Sequence, residues 1–501
     1  MDHFRVEPVC VMDAHSGGAH LVLTIGFIFS GAVDRAQIES AVKVLVGKWP
    51  VLGARLRRSS SNSQALEALI PDSQHAVLAT TFYVSALPTT NFEPPNPPSK
   101  TTPKGIHQVE TLPARTSTIT TQRLSRNLEL YFEKSQPTLE ELISSESSAF
   151  RLHVSCLADA TVFAFTFPHV LMDASAAGSV MRGLVSVLEG KAPLDELEGD
   201  PWADFVNTTR PGADLNLRGW TTYGPSDFMA SAETERMDLE RDGPISQRTI
   251  YFPPAEIARL KEQAMRELKV LGLEVPLLSS GDVIVAWLYK NFYGDEQYDA
   301  DRTSRLIYVL DARKRLPEAF PPDKVYLKNA YILNVTSKYA NCKIRDMSLG
   351  EIARLVRELV TEGSKRETVL DHLQWKHDHA GEVQVPVPSG ERVLFASNWL
   401  MFGFGGLNIS KAVKPGTGTG EVLDIYWCMP GIPRGCVTFR SSDGGINAVF
   451  DWAEVNWTSG SIGKYAIENM KTKKSKKGKA MKRLRIHSLF SWYRRLIATR
   501  H

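Results

Sequence analysis

His169 and Asp173 stand four residues apart in "FTFPHVLMDASAAG", residues 165–178, just after the apolar run "ATVFAF". A histidine at the mouth of a buried strand can be partly dry yet reachable from a cleft. Its ordinary pKa of about 6.5 leaves it mostly neutral near pH 7, the form a general base needs. An Asp four residues on can fold back across the same turn. It would there orient the imidazole, pair with a cation, or cap a helix starting near Ala174. Taken alone, HxxxD is short and arises often by chance, and a core histidine with an N-cap aspartate is the better account of it.

Other reactive clusters read more plainly. "DHLQWKHDH" groups Asp371, His372, His377, Asp378 and His379, but their spacing fits no zinc pattern, so a solvated helix end or loop is expected and no metal. "GTGTGEV" at 416–422 lacks the strand before and helix after that a dinucleotide loop requires, and reads as a flexible loop. Ser175, Ser179 and Ser186 follow His169, yet no GxSxG elbow exists, which argues against a serine hydrolase.

These residues must be positioned by a large soluble-type chain. It has 501 residues, 43% hydrophobic and 23% charged, enough for sizeable cores without staples. Five scattered Cys with no CxxC suggest free thiols in a reducing compartment, hence a cytoplasmic location. "LVLTIGFIF" is half the length a membrane helix needs, and "MDHFRVEPVC" has no signal-peptide character. From Lys471 to His501 there are twelve Lys plus Arg and no Asp or Glu, which leaves −9 on the rest of a +3 chain. A basic tail on an acidic body excludes a nucleic-acid function for the whole. The tail reads as disordered, with weak contact to an anionic membrane surface as its alternative role.

Residues 20–31 read as a buried strand. Asp34, three before Gln37, suggests a capping box, and Ile38, Ala41, Val42, Leu45 and Val46 then share one helical face. Pro50 ends that helix, and "VLGARL" begins an extended segment. Residues 88–121, rich in Pro and Thr, read as a loop insertion. A helix is expected over 174–190, then a crossover over 201–245. Beyond it, "RTIYFPPAEIARLKEQAMREL" reads strand then helix. "SSGDVIVAWLYKNFYG" shows an apolar face of Val283, Val285, Trp287 and Leu288, and the 348–363 helix turns Ile352, Leu355, Leu359 and Val360 inward. Further strands fall at 392–399, 421–428, 434–440 and 446–452. Strands alternate with helices in both halves, so the class is α/β or α+β with two sheet-based halves.

Seven segments in order resemble the BAHD acyltransferase superfamily, especially its fungal members. "KWPVLGARL", "PHVLMDASAAG", "SSGDVIVAWLYK", "VLDARKRL", "LKNAYILNV", "SLGEIARLVREL" and "SNWLMFGFGG" are similar to that family's motifs between about residues 10 and 455. The resemblance implies an α/β fold of two similar chloramphenicol-acetyltransferase-like domains with a channel at their interface. The domains would be 1–200 and 246–465, with the tail at 466–501. It implies a monomer that transfers an acyl group from acyl-CoA, a co-substrate, to a small hydroxylated acceptor of specialised metabolism, with no cofactor and no acyl-enzyme. His169 would be the general base and Asp173 would hold the turn. Ser397 and Trp399 would lie at the oxyanion, and Arg313, Arg315, Gly403 and Gly405 would be structural.

The sequence departs from the family at three points. Ala174 stands in place of a Gly. Met401 replaces the Asp and Phe404 the Trp of the family's DFGWG segment, which leaves Arg313 or Arg315 in need of another partner, Asp311 being one. Two rival functions remain at this level. One is an amide-forming condensation-type enzyme, against which Pro168 counts, because that class doubles the histidine there. The other is a non-catalytic relative that binds acyl-CoA, which the altered "FGFGG" would fit.

Overall fold

The computed structural model describes residues 3–465, apart from 11–13, 15, 62–64, 76–80, 87–115, 124–135, 146, 207–218, 275–276, 296–298 and 429–434. In chain order the elements that position the site begin with β1 (Val22–Ser30), α1 (Arg35–Lys48), β2 (Thr81–Ala86), β3 (Thr120–Arg123), β4 (Arg151–Cys156), β5 (Ala160–Pro168) and α2 (Ala174–Leu188). Then come α3 (Pro225–Asp242), β6 (Ile245–Phe252), α4 (Pro254–Val270), α5 (Ser280–Tyr293), β7 (Thr303–Asp311), β8 (Tyr331–Val335), α6 (Leu349–Gly363) and α7 (Arg366–Asp378). The last are β9 (Arg392–Asn398), β10 (Val422–Cys428), β11 (Gly435–Arg440) and β12 (Ile446–Ala453).

β1 and β5 are mostly apolar runs, each with two hydroxyl residues, and are buried on both faces along nearly their whole length. They pair antiparallel inside a five-stranded sheet of order β10–β1–β5–β4–β2. α1 and α2 share one core with this sheet. Asp34 caps α1, its Oδ1 accepting from Ala36 N at 2.8 Å, and the five residues expected on the inner face are the five that are buried. Pro50–Gly53 forms a 3₁₀ turn, so the extended segment expected from Val51 starts only at Arg55.

The second sheet has the order β8–β7–β9–β11–β12–β6–β3, with Tyr339–Ala340 on the β7 edge. β9 runs parallel to both β7 and β11. α4, α5 and α6 pack against it. α5 is buried on nearly every side, including Gly281, Asp282, Ile284, Ala286 and Tyr289, and not on one face as its sequence suggested. Its neighbours α4 and α6 enclose it, a circumstance that periodicity does not report. On α6, Val356 takes the inward place expected of Leu355 and Val360, which are half-buried.

The sheets exchange strands. β10 comes from the second half of the chain and pairs with β1, while β3 comes from the first half and pairs with β6. The halves 1–200 and 246–465 therefore do not each keep their own strands. β3 takes only the last two residues of the loop insertion expected over 88–121; most of that insertion, and the tail 466–501, lie outside the described residues. The crossover 201–245 carries α3 and a short strand, Thr221–Tyr223, paired with Val383–Val385. The 416–422 segment is pinned as well as looped: Thr417 Oγ1 accepts from Ala32 N at 3.0 Å and donates to Lys414 O at 2.8 Å. Among the described residues no helix is long and apolar enough to cross a membrane.

Candidate active site

β5 ends at Pro168, and the next residue continues its ladder, His169 N donating to Leu21 O at 2.8 Å. His169 O accepts from Asn329 Nδ2 at 2.6 Å. The ring Nδ1 lies 3.2 Å from Met172 O. A carbonyl only accepts, so Nδ1 donates here, and in the neutral ring Nε2 is the nitrogen with the lone pair. The half-buried imidazole lines a cavity of about 1310 Å³ walled by both halves of the chain. Its ring centroid is 5.4 Å from that of Tyr331.

Asp173 is 5% exposed and belongs to the turn rather than to the imidazole. Its Oδ1 caps α2 by accepting from Ala176 N at 2.8 Å, and its Oδ2 accepts from Ala330 N at 2.8 Å. Arg313 grips both oxygens, at 3.0 and 3.2 Å. The same guanidinium reaches Asp311 Oδ1 at 3.0 Å, Tyr326 O at 3.2 Å and Lys328 O. Burial alone would lower the pKa of Arg313, but the carboxylates of Asp173 and Asp311 more than offset it and hold it above the ordinary value. This supplies the partner that the missing DFGWG aspartate left open. Arg315 instead donates to Ser364 Oγ at 2.9 Å and to the Asp311 carbonyl, and burial pulls its pKa down. Ser175 Oγ donates to Asp311 Oδ2 at 2.9 Å, tying α2 to β7.

Ser397, near the end of β9, and Trp399 just beyond it both line the cavity. The Trp399 indole N–H donates to Ser397 Oγ at 2.9 Å, so it faces the serine and not the cavity directly. That bond leaves the Ser397 hydroxyl hydrogen as a donor. The loop that follows is held by aromatic rings. Phe404 is 2% exposed and packs edge-on against Phe27, Trp399 and Phe402 at 5.3, 5.6 and 5.7 Å. Met401, in the place of the family's aspartate, is 74% exposed. Gly403 has φ of +71°, and a Cβ on Gly405 would lie 2.3 Å from Arg440 O, so each position calls for glycine for a different reason. Arg182 of α2 donates to Phe402 O and receives support from Ser179 Oγ at 2.9 Å.

Five cations, Arg182, Lys314, Arg315, Arg357 and Arg440, line the same cavity. Arg357 is held by Asp282, whose carboxylate is 1% exposed and accepts from Arg357 Nε at 2.8 Å. His20, two residues before β1, also lines the cavity; burial pulls its pKa down to about 4 against a main-chain bond to Gly17. Neither Asn329 nor Arg182 was singled out from sequence. The "LKNAYILNV" resemblance was the available signal for Asn329, and nothing pointed to Arg182.

The 371–379 cluster is a solvated helix end only at His377 and Asp378, and not over its whole length as expected. His372 on α7 is 3% exposed, with Nε2 3.0 Å from Asn334 Oδ1, and burial with Lys376 nearby holds its pKa at about 3. Helical spacing places it with Val369, Leu373 and Lys376 on the buried side. His379 stacks on Trp375 at 4.2 Å, and only His377 and Asp378 sit in solvent.

A sequence model described as the Transferase family matches residues 149–410. Acetyltransferase MATC1 of Mycosarcoma maydis is 23% identical over 497 residues, covering 88% of this chain and 83% of that one. Acetyltransferase adrJ of Penicillium roqueforti is 25% identical over 410 residues, 79% of this chain and 80% of that one. Among solved structures, F. sporotrichioides TRI101 complexed with coenzyme A and T-2 superposes with a TM-score of 0.61 over 90% of this chain and 95% of that one, at 13% identity.

Proposed function

The chain belongs to the Transferase family and is an acyltransferase of its BAHD type, and on that premise we propose that it moves an acyl group from acyl-CoA to a hydroxyl of a small specialised metabolite. The observation that carries this reading is His169 on the cavity wall with Nδ1 engaged by Met172 O. Nε2 is then the nitrogen that takes a proton. As the acceptor oxygen attacks the thioester carbonyl, its O–H bond breaks toward Nε2 and a C–O bond forms. The C–S bond breaks next, and the imidazolium returns its proton to the CoA thiolate. No acyl-enzyme is needed.

Charge collects on the thioester oxygen between these steps. Ser397 is the donor we assign to it, with the Trp399 N–H polarising that hydroxyl from behind. Asp173 moves no proton; its oxygens already serve Ala176, Ala330 and Arg313. The cationic lining, Lys314, Arg315 and Arg357 among it, complements the phosphates of a coenzyme A. At about 1310 Å³ the cavity exceeds the roughly 300–1,000 Å³ of a site for one drug-sized ligand, which supports two substrates bound together. The five cysteines, none joined in a disulfide, support action in the reducing cytoplasm.

Replacing His169 with Ala tests the base. With acetyl-CoA and an acceptor, thiol release should fall about 10²- to 10⁴-fold while the fold is kept. Turnover close to that of the unaltered protein sinks the assignment.

A further inference from the structure

The strand Phe4–Pro8 is one edge of a small three-stranded sheet, paired antiparallel with Leu66–Pro71. Its register sets Phe4 opposite Pro71, and the ladder runs one step further, with Asp72 N donating to His3 O at 2.9 Å. Main chain alone therefore brings His3 to Asp72. The chain then turns back. His75 N donates to Asp72 Oδ1 at 2.9 Å, which carries a second imidazole to the same carboxylate.

Three side chains converge there. His3 Nδ1 lies 3.5 Å from Asp72 Oδ2, and His75 Nδ1 lies 2.8 Å from Asp72 Oδ1. The two rings stack, their centroids 3.9 Å apart and their planes 20° from parallel. One nitrogen of each ring and one carboxylate oxygen all lie within 4.8 Å of one another. Among the described residues no other group of three His, Cys, Asp or Glu side chains comes so close. Ligand atoms about 2.0–2.2 Å from one ion stand about 3.4 Å apart in a tetrahedron. The 2.8 and 3.5 Å separations bracket that spacing, so side-chain rotation is enough to close a shell.

The donor set also selects the ion. Two imidazole nitrogens with a carboxylate oxygen suit zinc, nickel, cobalt or copper, whereas magnesium and calcium take oxygen alone. One carboxylate balances only one imidazolium, and two stacked imidazolium rings repel. A divalent ion gives the lone pair of each neutral ring a partner instead. The His75 amide on Asp72 Oδ1 is the outer bond that orients a ligating carboxylate. All three side chains are open to solvent, so an ion can enter and water can complete its shell.

We propose that His3, Asp72 and His75 hold one divalent transition ion of the zinc type, which clips the outer end of the Phe4–Pro8 strand. This goes beyond the acyl-transfer reading and does not depend on it, since none of the three lines the cavity. The same strand carries Glu7, whose carboxylate accepts from Lys328 Nζ. Lys328 O and Asn329 in turn hold Arg313 and His169. The ion fastens a strand that braces the segment beneath the base, and it takes no part in proton or acyl transfer.

The experiment measures bound metal. The full chain is stripped with a chelator and dialysed against zinc with magnesium in excess. We expect the unaltered chain to hold one equivalent more than His3→Ala or His75→Ala. Asp72→Asn keeps the shape and should weaken this binding at least tenfold. His377→Ala removes a solvent-exposed histidine of α7 and should lose none of it. Zinc should raise the Tm of the unaltered chain and not that of His3→Ala. Cobalt(II) should give visible bands of a four-coordinate ion in the unaltered chain that His75→Ala abolishes. Equal zinc in all variants, a loss as large in His377→Ala, displacement by magnesium, or a Tm that zinc leaves unmoved overturns the proposal. Should His3→Ala lower the Tm without metal, the cobalt spectra of His75→Ala and Asp72→Asn decide, and bands retained in both overturn it.

Discussion

The turn that carries His169 and the loop Trp399–Gly406 share one cavity, but different forces hold them. The turn is fixed by directed polar bonds: Leu21 O, Asn329 and Met172 O on the histidine, and two main-chain amides with Arg313 on Asp173. The loop is fixed by aromatic packing around Phe404 and by two glycines. Bonds of the first kind set an atom's position and fail abruptly when one partner is lost. Packing of the second kind accepts side chains of similar volume. This explains how the family's DFGWG segment can read "MFGFG" here without loss of the loop: a phenyl ring fills the buried place, and the missing aspartate's arginine is served from the turn.

The contrast can be broken at four points. Asp173→Ala leaves the largely buried Arg313 with Asp311 as its one carboxylate, beside the carbonyls of Tyr326 and Lys328, and should cost about 3–5 kcal/mol in urea unfolding. A loss under about 1 kcal/mol would mean the turn is held by something else. Gly405→Ala drives a Cβ against Arg440 O, and backbone cannot yield as a side chain does, so about 2–3 kcal/mol should be lost by the same measurement. Phe404→Leu stays apolar and close in volume; about 1–1.5 kcal/mol is expected, with thiol release little changed. Should this variant lose more stability than Asp173→Ala, the two regions do not differ as described. Gly403→Ala meets no atom within 4 Å, so only the left-handed backbone is strained, for about 1 kcal/mol seen as a small drop in Tm.

Local pattern carried much of the fold and little of the site's wiring. The inner face of α1 was legible because Ile38, Ala41, Val42, Leu45 and Val46 recur at the helical period against a single sheet. α5 defeated the same reasoning, since a helix enclosed on all sides has no face to mark. β3 is four residues of Thr, Gln and Arg that pair only because β6 offers an edge. His169 and Ser397 were singled out from sequence and both line the cavity, but the bonds they make were not legible. Asp173 meets Arg313 across 140 positions and Asn329 meets His169 across 160, separations that no spacing rule spans. The Trp399 N–H was assigned to the oxyanion from resemblance; that it reaches Ser397 first is a matter of side-chain direction, which sequence does not give.

The exchange of β10 into the first sheet also governs how the chain must come off the ribosome. β1, "VLTIGFIFS", lies between β5 and β10, so one of its edges stays open until residues 422–428 have been made. Synthesis at about 5–20 residues per second leaves that edge waiting for tens of seconds. An apolar, unpaired strand edge is a template for aggregation. The open edge of β1 predicts that yield in a foreign host follows chaperone supply more closely than the stability of the finished fold.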